Sequence, residues 1–77
     1  MPNGQQTEIK EISPQRKQFA YQYVWGPEAY NATQSAILAD YSPKTAKSQG
    51  QRLLTFVDVK KEVARLEVER KAETDYN

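Results

Sequence analysis

The chain has 77 residues, a formal net charge of +1, and neither histidine nor cysteine. A chain this short folds as one small domain with a modest core, and without imidazole or thiol it lacks the commonest general base, the commonest zinc ligands, the cysteine nucleophile and any disulfide staple. An enzyme, a metal centre and a bound cofactor are therefore not expected. With no apolar run near the ~20 residues a membrane span needs, and a polar start MPNGQQ unlike a signal peptide, the expectation is a soluble cytoplasmic protein with no membrane partner.

Residues 1–12 mix Pro2, Gly4, glutamines and charges, with little apolar surface beyond Ile9 and Ile12, which predicts a flexible arm. Ser13-Pro14 reads as an N-cap followed by proline at the first helical position, where its missing N–H is harmless. Phe19, Ala20, Tyr23 and Val24 then draw an apolar stripe along a helix from about residue 14 to 25, with Ile12 folding back on it, and Gly26-Pro27 ends it. Trp25 and Tyr30 flank that break and are expected to wrap the helix end, an exposed interaction surface being the alternative.

Asn31 opens a second helix, with Gln34 at the capping-box position. Ala32, Ser35, Ala36 and Ala39 give it a face that a neighbour can approach closely, and Ile37 and Leu38 supply bulk. It ends near Ala39, and Asp40-Tyr41 makes the turn, with Tyr41 filling space between helices. Ser42-Pro43 repeats the cap signature and predicts a third helix through about Leu54. Asp58 is the expected cap of a fourth, in which Val59, Val63 and Leu66 recur at i, i+4 and i+7 and the outer face carries i,i+4 charge pairs. The expected core is Phe19, Tyr23, Ile37, Leu38, Leu53, Leu54 and Val63. The organisation is all-α: an arm over 1–12, a small four-helix domain over 13–70, and a polar tail over 71–77.

Charge singles out the third helix. Residues 42–57 hold Lys44, Lys47 and Arg52 without one acid, whereas from Asp58 onward five cations face six carboxylates. At 100° per residue Ala46, Gly50, Leu53 and Leu54 share one side. Lys44, Thr45, Ser48, Gln51 and Arg52 share the other, with Lys47 and Gln49 between. Gly50 inside a helix costs on the order of 1 kcal/mol relative to alanine, which points to a close helix–helix approach. Two short helices joined by a tight turn, the second exposed and acid-free, match a helix-turn-helix. Lysine and arginine neutralise phosphates and gain from counterion release; arginine and glutamine make paired hydrogen bonds to base edges. The candidate contacts to double-stranded DNA are Lys44, Thr45, Lys47, Ser48, Gln51 and Arg52. Arg16 and Lys17, otherwise a solvated face of the first helix, are secondary phosphate contacts.

The segments SPQRKQFAYQYV, NATQSAILADYSPKTAKSQGQRLL and VKKEVARLEVER together resemble the N-terminal DNA-binding domain of the phage small terminase subunit family, over roughly residues 12–70. The most specific stretch is Asn31 to Leu54. The resemblance implies a helix-turn-helix that recognises the packaging initiation site on viral DNA, in the cytoplasm of the infected bacterial host. It also implies a homo-oligomer whose ring is built by a following region and presents DNA to the large terminase subunit, which holds the ATPase and nuclease. Asp40 departs from the family, which usually has glycine there. After residue 70 only the polar tail remains, so the expectation is either a fragment or assembly through the fourth helix. A transcriptional regulator or transposase-like module would carry the same groove helix but act as a dimer on a palindrome. A helical adaptor would instead bind protein through Trp25, Tyr30 and the fourth helix.

Overall fold

The computed structural model describes residues 12–76, with side chains over 12–74, so the arm expected over 1–12 lies, apart from Ile12, outside the described residues. Four helices follow in order: α1 (Pro14–Trp25), α2 (Ala32–Leu38), α3 (Ala46–Leu53) and α4 (Val57–Tyr76). No strand occurs among the described residues, and the chain is all-α.

Local chemistry sets most of the boundaries. Ser13 is extended and its Oγ accepts from the Arg16 N–H at 3.2 Å, the expected cap of α1. At the other end the Gly26 N–H donates to the Gln22 carbonyl at 3.0 Å, and a Cβ on Gly26 would lie 2.5 Å from that same oxygen. Glycine is required there by the closeness of the exit, since its φ of −74° suits any residue. Asn31 Oδ1 accepts from the Gln34 N–H at 3.0 Å and starts α2. α2 closes with a Schellman arrangement: Tyr41 N–H donates to the Ala36 carbonyl at 3.0 Å, Asp40 N–H to Ile37 at 2.9 Å, and Asp40 takes the left-handed φ of 69°. The departure from glycine at this position falls on the one residue of the turn that needs positive φ.

Three expectations are corrected. The third helix begins at Ala46, not at Pro43. Ser42 Oγ accepts from Lys44 N–H, only two residues on, and residues 43–45 form a separate tight turn whose bonds run from Thr45 to Ser42 and from Ala46 to Pro43. The fourth helix starts at Val57, so Asp58 sits inside its first turn instead of capping it, and the helix continues through the expected tail to Tyr76. Leu38 is 41% exposed and not core. The buried side of α2 is Ala32, Ser35, Ala36 and Ala39, and Leu38 points away from it.

That small-residue side explains the packing. A Cβ added at Gly50 would lie 2.6 Å from the Ala32 carbonyl oxygen, so α3 rests almost backbone to backbone on the start of α2. α1 packs on both α2 and α4 and runs in the same direction as α4, Arg16 meeting Asp58 near one end and Val24 meeting Arg70 towards the other. The main core gathers Phe19, Ala36, Ala46, Leu53 and Val59, with Ile12, Tyr23, Ile37, Tyr41, Leu54 and Val63 at its margin. A smaller cluster of Ala20, Val24 and Leu66 joins α1 to α4.

Candidate nucleic-acid interface

The surface of α3 follows from how it is buried. Ala46, Gly50 and Leu53 face inward, Leu54 is half-buried, and Lys44, Thr45, Lys47, Ser48, Gln51 and Arg52 are all exposed. Lys44 and Thr45 stand in the turn before the helix, not on its first turn as the sequence suggested. Thr45 occupies the N-cap position without a side-chain cap bond, and the Ala46 N–H is taken by the Pro43 carbonyl at 3.4 Å. Ser48 Oγ donates to the Thr45 carbonyl at 3.2 Å. The side chains of Lys44, Lys47, Gln51 and Arg52 make no hydrogen bond or ion pair with another described residue. A row of cationic and amide side chains without a partner among the described residues is chemically suited to an extended anion.

Arg16, unlike that row, has partners within the fold. The Arg16 Nη1 donates to Asp58 Oδ2 at 2.9 Å, and its guanidinium lies 4.2 Å from the centroid of the Phe56 ring. Phe56 and Asp58 follow directly on α3, so Arg16 fastens the exit of α3 to α1 and is committed to that task. Tyr41 packs nearby; burial raises its hydroxyl pKa, with Arg16 opposing and Asp58 adding to the rise. Lys17 is exposed on the side of α1 that looks towards Glu62 of α4. There the hydrogen bond from Arg65, chiefly, holds the Glu62 carboxyl below its ordinary range, with Lys17 contributing.

Two polar anchors escaped the sequence reading. Tyr30 has a φ of 65°, unusual for a bulky side chain, and is held there on several sides. Its N–H donates to the Tyr23 carbonyl at 2.8 Å, its ring meets the Tyr23 ring edge-on at 5.1 Å, and its hydroxyl donates to Glu67 at 3.1 Å. Arg70 lies 5.8 Å over the same ring and donates to the Val24 carbonyl at 2.9 Å, filling one of the open acceptors at the end of α1. Tyr30 thus wraps the helix end as expected, while staying 47% exposed. No described helix is long and apolar enough to cross a membrane.

Together these features define a small all-α domain in which the short α3 presents Lys47, Gln51 and Arg52, with Lys44 just before it, free of partners among the described residues, while Arg16, Tyr30, Arg65 and Arg70 brace the other helices. A family model described as terminase small subunit matches residues 12–77. The chain is 41% identical over 59 residues to the PBSX phage terminase small subunit of Bacillus subtilis (strain 168), an alignment covering 77% of this chain and 21% of that protein. The chain therefore belongs to the terminase small subunit family, and it spans about a fifth of the length of that curated relative. No solved structure matches it significantly.

Proposed function

We propose that α2, the turn over residues 39–45 and α3 form a helix-turn-helix that binds double-stranded DNA, with α3 in the major groove. The observation that carries this reading is the exposed row Lys44, Lys47, Gln51 and Arg52, acid-free and without partners among the described residues, on a helix seated backbone to backbone on its neighbour. Lys44, Thr45 and Ser48 stand nearest the start of α3 and take phosphate oxygens. Lys47, Gln51 and Arg52 are the side chains for base edges and for the opposite strand's phosphates. Arg16 serves this interface from behind by holding the α3–α4 junction, and Lys17 is at most a peripheral phosphate contact.

Within the family, this makes the chain the recognition domain of a terminase small subunit. It binds the packaging initiation site on phage DNA in the infected host cell and presents it, as part of a homo-oligomer, to the large terminase subunit that carries the ATPase and nuclease. The domain itself is not an enzyme. A single domain with so few contacts binds weakly, and several copies acting together supply the affinity.

Fluorescence anisotropy of a labelled duplex at a series of salt concentrations tests the reading. Three or four phosphate contacts give a slope of log K against log salt of about −3 to −4. A slope near zero, or no binding at low salt, would sink it and leave the protein-binding adaptor.

A further inference from the structure

Gln15, exposed on the first turn of α1, reaches across 24 positions of sequence to the turn before α3, where its Nε2 donates to the Ala39 carbonyl at 3.1 Å. That carbonyl stands at the C-cap of α2 and receives no backbone N–H among the described residues. Four residues on, where a continuing helix would supply the donor, stands Pro43, which has no N–H to give. Ala39 is only 2% exposed, so water has little access to its carbonyl, and an acceptor left open at such a place costs free energy. The Gln15 amide fills it.

The next residue of α1 does the same for the other end of α3. Arg16 holds Asp58 at 2.9 Å and lies 4.2 Å from the centroid of the Phe56 ring. Ala39 comes just before, and Phe56 just after, the segment 40–55 that carries every candidate contact on and before α3. Both feet of that segment rest on adjacent residues of one helical turn, itself fixed by the Ser13 cap. Between the feet, the contact of Gly50 with the Ala32 backbone sets how closely α3 lies on α2, while the held ends set its tilt. The opposite flank of α1, where Tyr21 and Trp25 border an open groove against α4, takes no part.

We propose that Gln15 is a positioning residue for DNA recognition: with Arg16 it clamps the segment 40–55 at both ends and sets the angle at which α3 meets the duplex, without touching DNA itself. The proposal rests on the reading of α3 as the DNA-binding helix. A neutral amide suits the task, because it offers one directional donor and leaves the field of the lysine and arginine row unchanged. Without that donor the turn opens more often, the Asp40 and Tyr41 N–H groups leave the Ile37 and Ala36 carbonyls, and α3 samples orientations that must be given up again on binding.

Gln15→Met tests this, since it keeps the length of the side chain and removes the donor. In the free protein the Asp40 and Tyr41 amides are expected to exchange with deuterium about fivefold faster than in wild type, the factor for one lost hydrogen bond, while the Val63 and Leu66 amides of α4 keep their rates. Affinity for a labelled duplex, read by anisotropy, falls by about the same factor. In wild type the side-chain amide signal of Gln15 stays in place when duplex is added. Exchange that quickens equally in α4 marks a general loss of stability and overturns the proposal, as does unchanged exchange at Asp40 and Tyr41. A Gln15 side-chain signal that moves with DNA as far as the α3 signals overturns it in favour of a direct contact. Lys47→Ala is the control for the reading beneath it. If Lys47→Ala weakens binding and Gln15→Met does not, the positioning role alone falls; if wild type binds no duplex, both fall.

Discussion

The α2–α3 half and the α1–α4 half of this molecule are both helix pairs, yet they hold together by opposite means. α2 and α3 meet through Ala32, Ala36, Ala46 and Gly50, with almost no side chain between the backbones. α1 and α4 meet through longer side chains and are further tied by Arg16 to Asp58, Arg70 to the Val24 carbonyl and Tyr30 to Glu67. Packing by small residues uses up no polar group, so α3 keeps every lysine, arginine and glutamine for solvent or a ligand. Bracing by polar groups uses up the very side chains that would otherwise bind something. The division leaves α3 as an exposed polar surface on a braced frame, which is what the proposed DNA-binding role needs.

The contrast breaks most severely at Gly50. Gly50→Val drives side-chain atoms into the Ala32 backbone, which cannot yield as a flexible side chain would, and is expected to cost about 3 kcal/mol, at the upper end for overpacking. Urea denaturation measures it. In the other half, Arg70→Ala removes a charged hydrogen bond to a helix-end carbonyl and the cation over Tyr30, a loss of about 1.5 kcal/mol at this half-exposed site by the same measurement.

The two left-handed residues sharpen the comparison because glycine should act on them with opposite signs. Asp40, at φ 69°, makes no side-chain bond to a described residue, so Asp40→Gly relieves backbone strain and raises stability by about 0.5–1 kcal/mol. Tyr30, at φ 65°, is held by its ring and hydroxyl, and Tyr30→Gly loses more in contacts than it gains in backbone ease. Thermal melts of the two variants should move apart.

A smaller effect appears with pH. Arg65 holds the folded Glu62 carboxyl below its ordinary range, so the folded state takes up that proton less readily than the unfolded chain does. The stabilisation is complete above the ordinary glutamate pKa of about 4.3 and is lost as pH falls through the lowered folded value. Glu62→Gln should cost a few tenths of a kcal/mol at pH 7 and nothing once both states are protonated. Least of all should be the effect of Lys47→Ala or Arg52→Ala on stability, within about 0.5 kcal/mol. Each should instead flatten the salt dependence of DNA binding by about one unit of slope.

What could be read in advance was the part written locally. The Ser13 and Asn31 caps, the Gly26-Pro27 stop, the small-residue side of α2, the close approach at Gly50 and the turn at Asp40-Tyr41 each depend on a few neighbouring residues. Ser42 misled because Ser-Pro serves a tight turn as well as a helix cap, and its hydroxyl turned to the N–H two residues on. Asp58 misled because the partner that claims it, Arg16, lies 42 positions away. The partner of Arg70, the Val24 carbonyl, lies 46 positions away and is brought to it only by the fold. Nothing near Tyr30 in sequence signals positive φ in an aromatic residue. Of the candidate contacts, the row on and before α3 was legible from charge and periodicity, while the commitment of Arg16 to Asp58 and Phe56 was not.

The most direct measurement is a titration of isotope-labelled protein with a random-sequence DNA duplex, following backbone amide shifts at low and moderate salt. The largest changes are expected over residues 43–52, shrinking as salt is added, with the groove around Tyr21 and Trp25 unmoved. Shifts centred on that groove, or none at all at low salt, would contradict the assignment of α3 as the helix that reads DNA.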